Sequence, residues 1–133
     1  MVKDESKDIE DFIARHGWKM TGSGTGLRYE IFEKGNGRKT EPEKQLSISY
    51  SVSLLDGTTC YVYDQAHPVE FIPGHGEQAR GLEEGVLLMR EGDHARLVVP
   101  SHLAFGKSGD NNKIPGNSAL YYEVIVLKVK DLK

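Results

Sequence analysis

At 133 residues, with a formal net charge of -3 and a pI near 5.9, the chain has the length of one domain. It carries no basic block of the kind a nucleic-acid or anionic-membrane surface needs. Apolar residues make up 38% without any run near the roughly 20 residues of a membrane span, and the single Cys60 excludes an internal disulfide or a paired-cysteine metal site.

Met1, Val2, Lys3, Asp4 and Glu5 include no apolar stretch, so no secretory leader is expected within this sequence. That fits a cytoplasmic protein and one whose targeting segment has been removed equally well. Residues 6–16 read as a short amphipathic helix. Ile9, Phe12 and Ile13 share its face, Ser6 is a candidate N-cap, Asp8 lies in the first turn and Gly17 follows as a stop. Trp18 and Met20 then form an apolar anchor, with Trp18 read as a docking residue. Residues 21–26 (TGSGTG) have the composition of a flexible linker. Residues 1–26 are therefore expected to be a helical appendage with its linker, and 27–133 the main domain.

Within 27–133, alternation predicts strands over 27–34, 46–54, 58–63, 69–72 and 95–99. The cleanest is 46–54, where Leu46, Ile48, Tyr50, Val52 and Leu54 alternate with four serines, giving one buried and one wet face. Asp56-Gly57 is a hairpin signal after it, and Pro73-Gly74 closes the fourth strand. The loop 101–118 has a length usually associated with function or disorder. Residues 120–129 are apolar on both faces, as a central strand requires.

The stretch 80–89 (RGLEEGVLLM) is the helix around which these strands are expected to wrap. Leu82, Val86 and Met89 share one face, Leu87 and Leu88 widen it, and Gly92 is a candidate stop. The fold class expected is α+β: a curved antiparallel sheet of five to six strands around one short central helix, plus the N-terminal helical appendage.

No nucleophile or metal centre is spelled out. His16, His67, His75, His94 and His102 form no i, i+4 pair and have no carboxylates at ligand spacing. Gly74-His75-Gly76 lacks the Lys-Ser/Thr of a phosphate loop, and Cys60 has no activating base close in sequence. Glu83 and Glu84 read as charges that suit the helix dipole rather than as an acid pair. What remains is aromatic: if the sheet curls over the helix, Tyr50, Phe105 and Tyr122 converge above Leu82, as a plain core or as an apolar pocket.

Several motifs run in order over residues 26–127: Leu54-Leu55-Asp56-Gly57, Arg80-Gly81-Leu82-Glu83-Glu84-Gly85, Gly92-Asp93, Val99-Pro100, Leu103-Ala104-Phe105-Gly106, Gly109 with Ile114-Pro115, and Asn117-Ser118-Ala119-Leu120. In that order and spacing they resemble the FKBP-type peptidyl-prolyl isomerases. The RGLEEG form, Tyr61 and the DNNKIP loop resemble a bacterial envelope branch that includes gliding-motility lipoproteins. The resemblance implies a periplasmic or envelope-anchored home, with a cytoplasmic one as the alternative. It also implies an enzyme that rotates Xaa-Pro bonds of proline-containing polypeptides and assists the folding of envelope proteins. No covalent step, cofactor, metal or nucleic acid is implied, and a membrane is reached only through a lipid anchor absent from this chain. The alternative is an FKBP-like peptide-binding module with little or no isomerase activity.

Residue by residue, the resemblance makes Tyr50 a pocket wall, Ile114 the apolar tip of the long loop, and Val69 or Phe71 the continuation of the wall. Tyr122 stands for a usual phenylalanine and Leu82 for a usual tryptophan floor. Cys60 stands where phenylalanine is usual, Tyr61 where a ligand-contacting aspartate is usual, and Phe105 where a tyrosine holds the substrate backbone through its hydroxyl. Gln78 and Ala79 replace a Val-Ile pair. The implied catalytic set is Tyr50, Tyr61, Leu82, Phe105 and Tyr122, with Cys60, Val69, Phe71, Gln78, Ala79 and Ile114 binding substrate.

Overall fold

A computed structural model describes residues 5–132; the leader expectation at residues 1–4 lies outside them. Two helices, α1 (Glu5–His16) and α2 (Arg80–Val86), accompany seven strands. The strands are β1 (Thr21–Gly22), β2 (Arg28–Glu33), β3 (Gln45–Leu54), β4 (Thr59–Tyr63), β5 (Val69–Phe71), β6 (His94–Val99) and β7 (Leu120–Lys130). They form one antiparallel sheet in the order β1-β2-β6-β7-β3-β4, with β5 also paired to β3. β7 is central as its two apolar faces predict, with Tyr122 opposite Leu97 on one side and Val52 on the other. None of the helices among the described residues is long and apolar enough to cross a membrane.

The main core lies between the sheet and α2. Leu82, Val86 and Met89 are buried to 1%, 0% and 1% exposure and pack in one cluster with Leu46, Ile48, Leu97, Tyr122 and Val124. Each such side chain contributes about 1.5–3 kcal/mol relative to exposure. Two glycines let the helix sit this close: a Cβ on Gly81 would fall 2.3 Å from Val99 Cγ1, and one on Gly85 2.6 Å from Leu97 Cδ1.

The helix is shorter than its apolar run. It ends at Val86 instead of Met89, because Leu88 N–H bonds to Gly85 O and Met89 N–H to Val86 O, tightening the chain into successive turns. These turns return Met89 to the core but leave Leu87 half-buried and Leu88 exposed, so those two leucines do not widen the buried face.

The sheet's other face is covered in part by α1. Ile9, Phe12 and Ile13 pack on Val98 and Ala119 in a second cluster that Trp18, Met20, Leu55 and Tyr121 adjoin. The helix ends as Gly17 predicts: φ is +69°, Gly17 N–H bonds to Ala14 O and Trp18 N–H to Ile13 O. Trp18 is a docking residue, stacked between His16 and Tyr121 at 4.2 and 5.2 Å. The Arg96 guanidinium lies over Trp18 and Phe32.

Residues 21–26 are not a free linker. Thr21 and Gly22 pair with Tyr29 and Arg28 as a seventh strand beyond the six predicted. The turn is tied down by Ser23 and Thr25, whose hydroxyls donate to the Glu84 carboxylate.

Candidate functional site

The DG turn reverses β3 into β4 through Gly57 (φ +97°), whose N–H bonds to Leu54 O, while Asp56 Oδ1 accepts the Thr58 N–H. The reversal sets Tyr50 of β3 opposite Tyr63 of β4. β4 also supplies Cys60 and Tyr61, β7 supplies Tyr122, and α2 supplies Leu82. The loop before α2 carries Gln78 and Ala79, and the loop 101–118 carries Phe105 and Ile114.

Most of this set belongs to the main apolar core. Cys60, Leu82, Ile114 and Tyr122 are each 1–3% exposed within one apolar cluster, with Tyr50, Tyr61 and Val69 packed against it. The Tyr50 and Tyr122 rings lie 5.5 Å apart, tilted by 52°. Val69 and Phe71 share a face of β5, opposite Ile48 and Leu46 respectively; Phe71 is buried at 2% exposure and Val69 is half-buried. Phe105 is 37% exposed on the long loop, and among the described residues it makes no ring pair with Tyr50 or Tyr122.

No group here is primed for covalent or acid–base work. Burial pushes the Tyr50 hydroxyl up to about 12 and holds the Cys60 thiol above its ordinary value, so both stay neutral. Among the described residues no three His, Cys, Asp or Glu side chains gather to hold a metal. The arrangement is an apolar cluster with hydrogen-bonding side chains beside it.

Two carboxylates hold the loops that rim the site. Glu83, only 9% exposed, accepts the Gly74 N–H on Oε1 at 3.0 Å and the Gln78 N–H on Oε2 at 3.2 Å, pinning the loop that ends at Ala79. The Tyr50 hydroxyl donates to Gln78 Oε1 at 3.5 Å. Asp110 does the same for the long loop: its Oδ1 accepts the N–H groups of Asn112 and Ile114, and its Oδ2 accepts the Tyr61 hydroxyl. Lys113 Nζ lies 5.4 Å from the centre of the Tyr61 ring, and Cys60 Sγ is 3.8 Å from Lys113 O. Residues 60 and 61 thus clamp the segment that carries Ile114 onto β4.

The partner of Tyr61 lies 49 positions away in the chain. An aspartate opening the run Asp110-Asn111-Asn112 is a turn signal, but nothing local announces the tyrosine. The second role of Glu83 had no sequence signal.

The clamp predicts a pH dependence. The Tyr61 hydroxyl, with the loop's amides, holds the Asp110 carboxyl below its ordinary value of 3.8. A depressed carboxyl contributes order that is present above its unfolded pKa and is lost as pH falls through the folded one. The Asn112 and Ile114 amide NMR shifts should therefore hold steady at neutral pH and titrate with a midpoint below 3.8. Tyr61→Phe should move that midpoint up toward the ordinary value; an unchanged midpoint would show that Tyr61 does not restrain the loop.

Two hollows lie elsewhere. One of about 870 Å³ separates α1 from the β3–β4 turn and is lined with charge from Glu5, Asp8, Asp11 and Arg15. The other, about 270 Å³, lies by Phe32, Ser49, Ser51 and Val62 and touches the apolar cluster through Tyr50 and Val124.

Comparison with known proteins bears on this geometry. Residues 36–127 match the family described as FKBP-type peptidyl-prolyl cis-trans isomerase. FkpA of Neisseria meningitidis serogroup B is 32% identical over 125 residues, which cover 91% of this chain and 43% of that protein. FK506-binding protein 1A of Neurospora crassa is 31% identical over 110 residues, covering 81% of this chain and 92% of that one. The crystal structure of FkpA from Escherichia coli superposes with a TM-score of 0.84 at 30% identity, over 97% of this chain and 60% of that chain. The chain therefore spans about half the length of the FkpA proteins it matches.

Proposed function

The chain belongs to the FKBP-type peptidyl-prolyl cis-trans isomerase family, and from that premise we propose that it rotates Xaa-Pro bonds in polypeptides at the apolar site formed by Tyr50, Leu82, Ile114 and Tyr122. The observation that carries this reading is that these side chains, from two strands, one loop and one helix, meet in a single apolar cluster.

The chemistry asks for little else. Rotation about a peptide bond meets a barrier of about 18–20 kcal/mol, because the planar amide is stabilised by resonance. For Xaa-Pro bonds, uncatalysed exchange takes roughly tens to hundreds of seconds. As the bond twists, resonance is lost and the carbonyl oxygen loses negative charge, so it depends less on water. An enclosure that admits proline and excludes water therefore favours the twisted state over the planar one. In this reading Leu82 is the floor, Tyr50, Tyr122 and Ile114 the walls, and Val69 and Phe71 the wall's continuation. Cys60 fills the base, while Gln78, Ala79 and Phe105 meet the flanking peptide. Tyr61 acts through the clamp on the loop. Acceleration of prolyl exchange in a short peptide by substoichiometric protein tests the proposal.

We also propose that the clients are envelope proteins. The support is the resemblance carried by the RGLEEG form, Tyr61 and the DNNKIP loop. Recovery of the native protein from the periplasmic or membrane fraction is the expected result, and recovery from the cytoplasm would refute it.

A further inference from the structure

Tyr122 is 3% exposed, yet its hydroxyl has no hydrogen-bond partner among the described residues. The hydroxyl is not sealed in. Among the described residues Arg96 Nε is the one side-chain nitrogen or oxygen that is both closed off from solvent and unpartnered. The unpartnered Tyr122 hydroxyl therefore reaches a surface. Its electrostatic neighbours there are Tyr50, whose ring lies 5.5 Å away, and Cys60.

The other two tyrosines of the site have committed their hydroxyls. That of Tyr50 turns to Gln78, and that of Tyr61 to Asp110. Phe105, on the long loop, has no side-chain donor. A proline-containing segment presents acceptors at this point, because proline keeps its carbonyl but has no N–H. Burial also pushes the Tyr122 hydroxyl's pKa up, so it remains a donor at any working pH.

We propose that the Tyr122 hydroxyl donates a hydrogen bond to a backbone carbonyl of the bound Xaa-Pro segment, making it a substrate-binding group and not only a wall of the site. The inference rests on the isomerase reading above.

Tyr122→Phe tests it, because the contact and a structural role predict opposite signs. Exchange of an Ala-Xaa-Pro-Phe peptide is followed by NMR over a range of peptide concentrations, with thermal unfolding measured in parallel. The expected result is a KM raised about three- to tenfold, the span of one hydrogen bond, in a variant whose Tm is equal to or above that of the parent. Unchanged KM and kcat in a variant at least as stable would overturn the proposal, as would a lowered Tm, which would show that the hydroxyl serves the fold. If the parent binds the peptide without accelerating exchange, the isomerase reading falls, and weaker binding by Tyr122→Phe still supports the contact. If the parent neither binds nor accelerates, both fall.

Discussion

Leu82→Ala is expected to lower stability by about 2–5 kcal/mol, the range for truncating a fully buried leucine. Leu82 is 1% exposed and stands between the sheet and the first turn of α2, where Gly81 already meets Val99. Its neighbours cannot close the void freely, because the helix is pressed on β6 through glycines and its next turn is fixed by Val86. Leu88, two residues past the helix end and 37% exposed, is the control: Leu88→Ala should change stability by no more than about 0.5 kcal/mol. Chemical denaturation of the two variants beside the parent measures both. Equal effects would mean that the buried face of the helix has been misassigned. Since Leu82 is also the proposed floor under proline, the surviving folded fraction of Leu82→Ala should bind peptide more weakly than the parent.

Tyr50→Ala is expected to cut affinity for a proline-containing peptide by at least tenfold, or about 1.4 kcal/mol. The tyrosine is half-buried, its ring abuts those of Tyr63 and Tyr122, and its hydroxyl orients Gln78 at the rim. Truncation removes a wall of the enclosure and one restraint on the loop before α2 together. Tyr50→Phe keeps the wall and loses only the bond to Gln78, so it should retain most of the affinity. Peptide titrations followed by NMR shifts separate the two variants. Unchanged binding by Tyr50→Ala would place the peptide elsewhere on the molecule, with the hollow beside α1 the next surface to examine.

The parts of this site that could be read from sequence are those carried by periodicity. Alternation over 46–54 placed Tyr50 and Ile48 on the helix-facing side of β3, and the spacing of Leu82, Val86 and Met89 named the buried face of α2. The DG pair set the reversal into β4. What could not be read depends on partners distant in sequence. Ser23 and Thr25 look like linker residues until Glu84, about sixty positions on, accepts their hydroxyls and makes the turn a hairpin. Cys60 and Tyr61 look like losses from the family's pocket until Lys113 and Asp110 are seen against them, where they hold the long loop in place. The alternating pattern also assigned Ser49 to the wet face, yet it is 5% exposed on a sheet whose outer side is partly covered. Local propensity carries no information about such pairings, which arise only when the sheet closes.

Prolyl exchange in Ala-Xaa-Pro-Phe peptides, measured by NMR with the protein present at a small fraction of the peptide, decides whether the apolar site turns Xaa-Pro bonds over. Cis–trans exchange is expected well above the uncatalysed rate, saturating with peptide and weakened by Tyr50→Ala. Peptide shifts that report binding while exchange stays at the uncatalysed rate would contradict it, and would leave a fold that recognises proline-containing chains without turning them over.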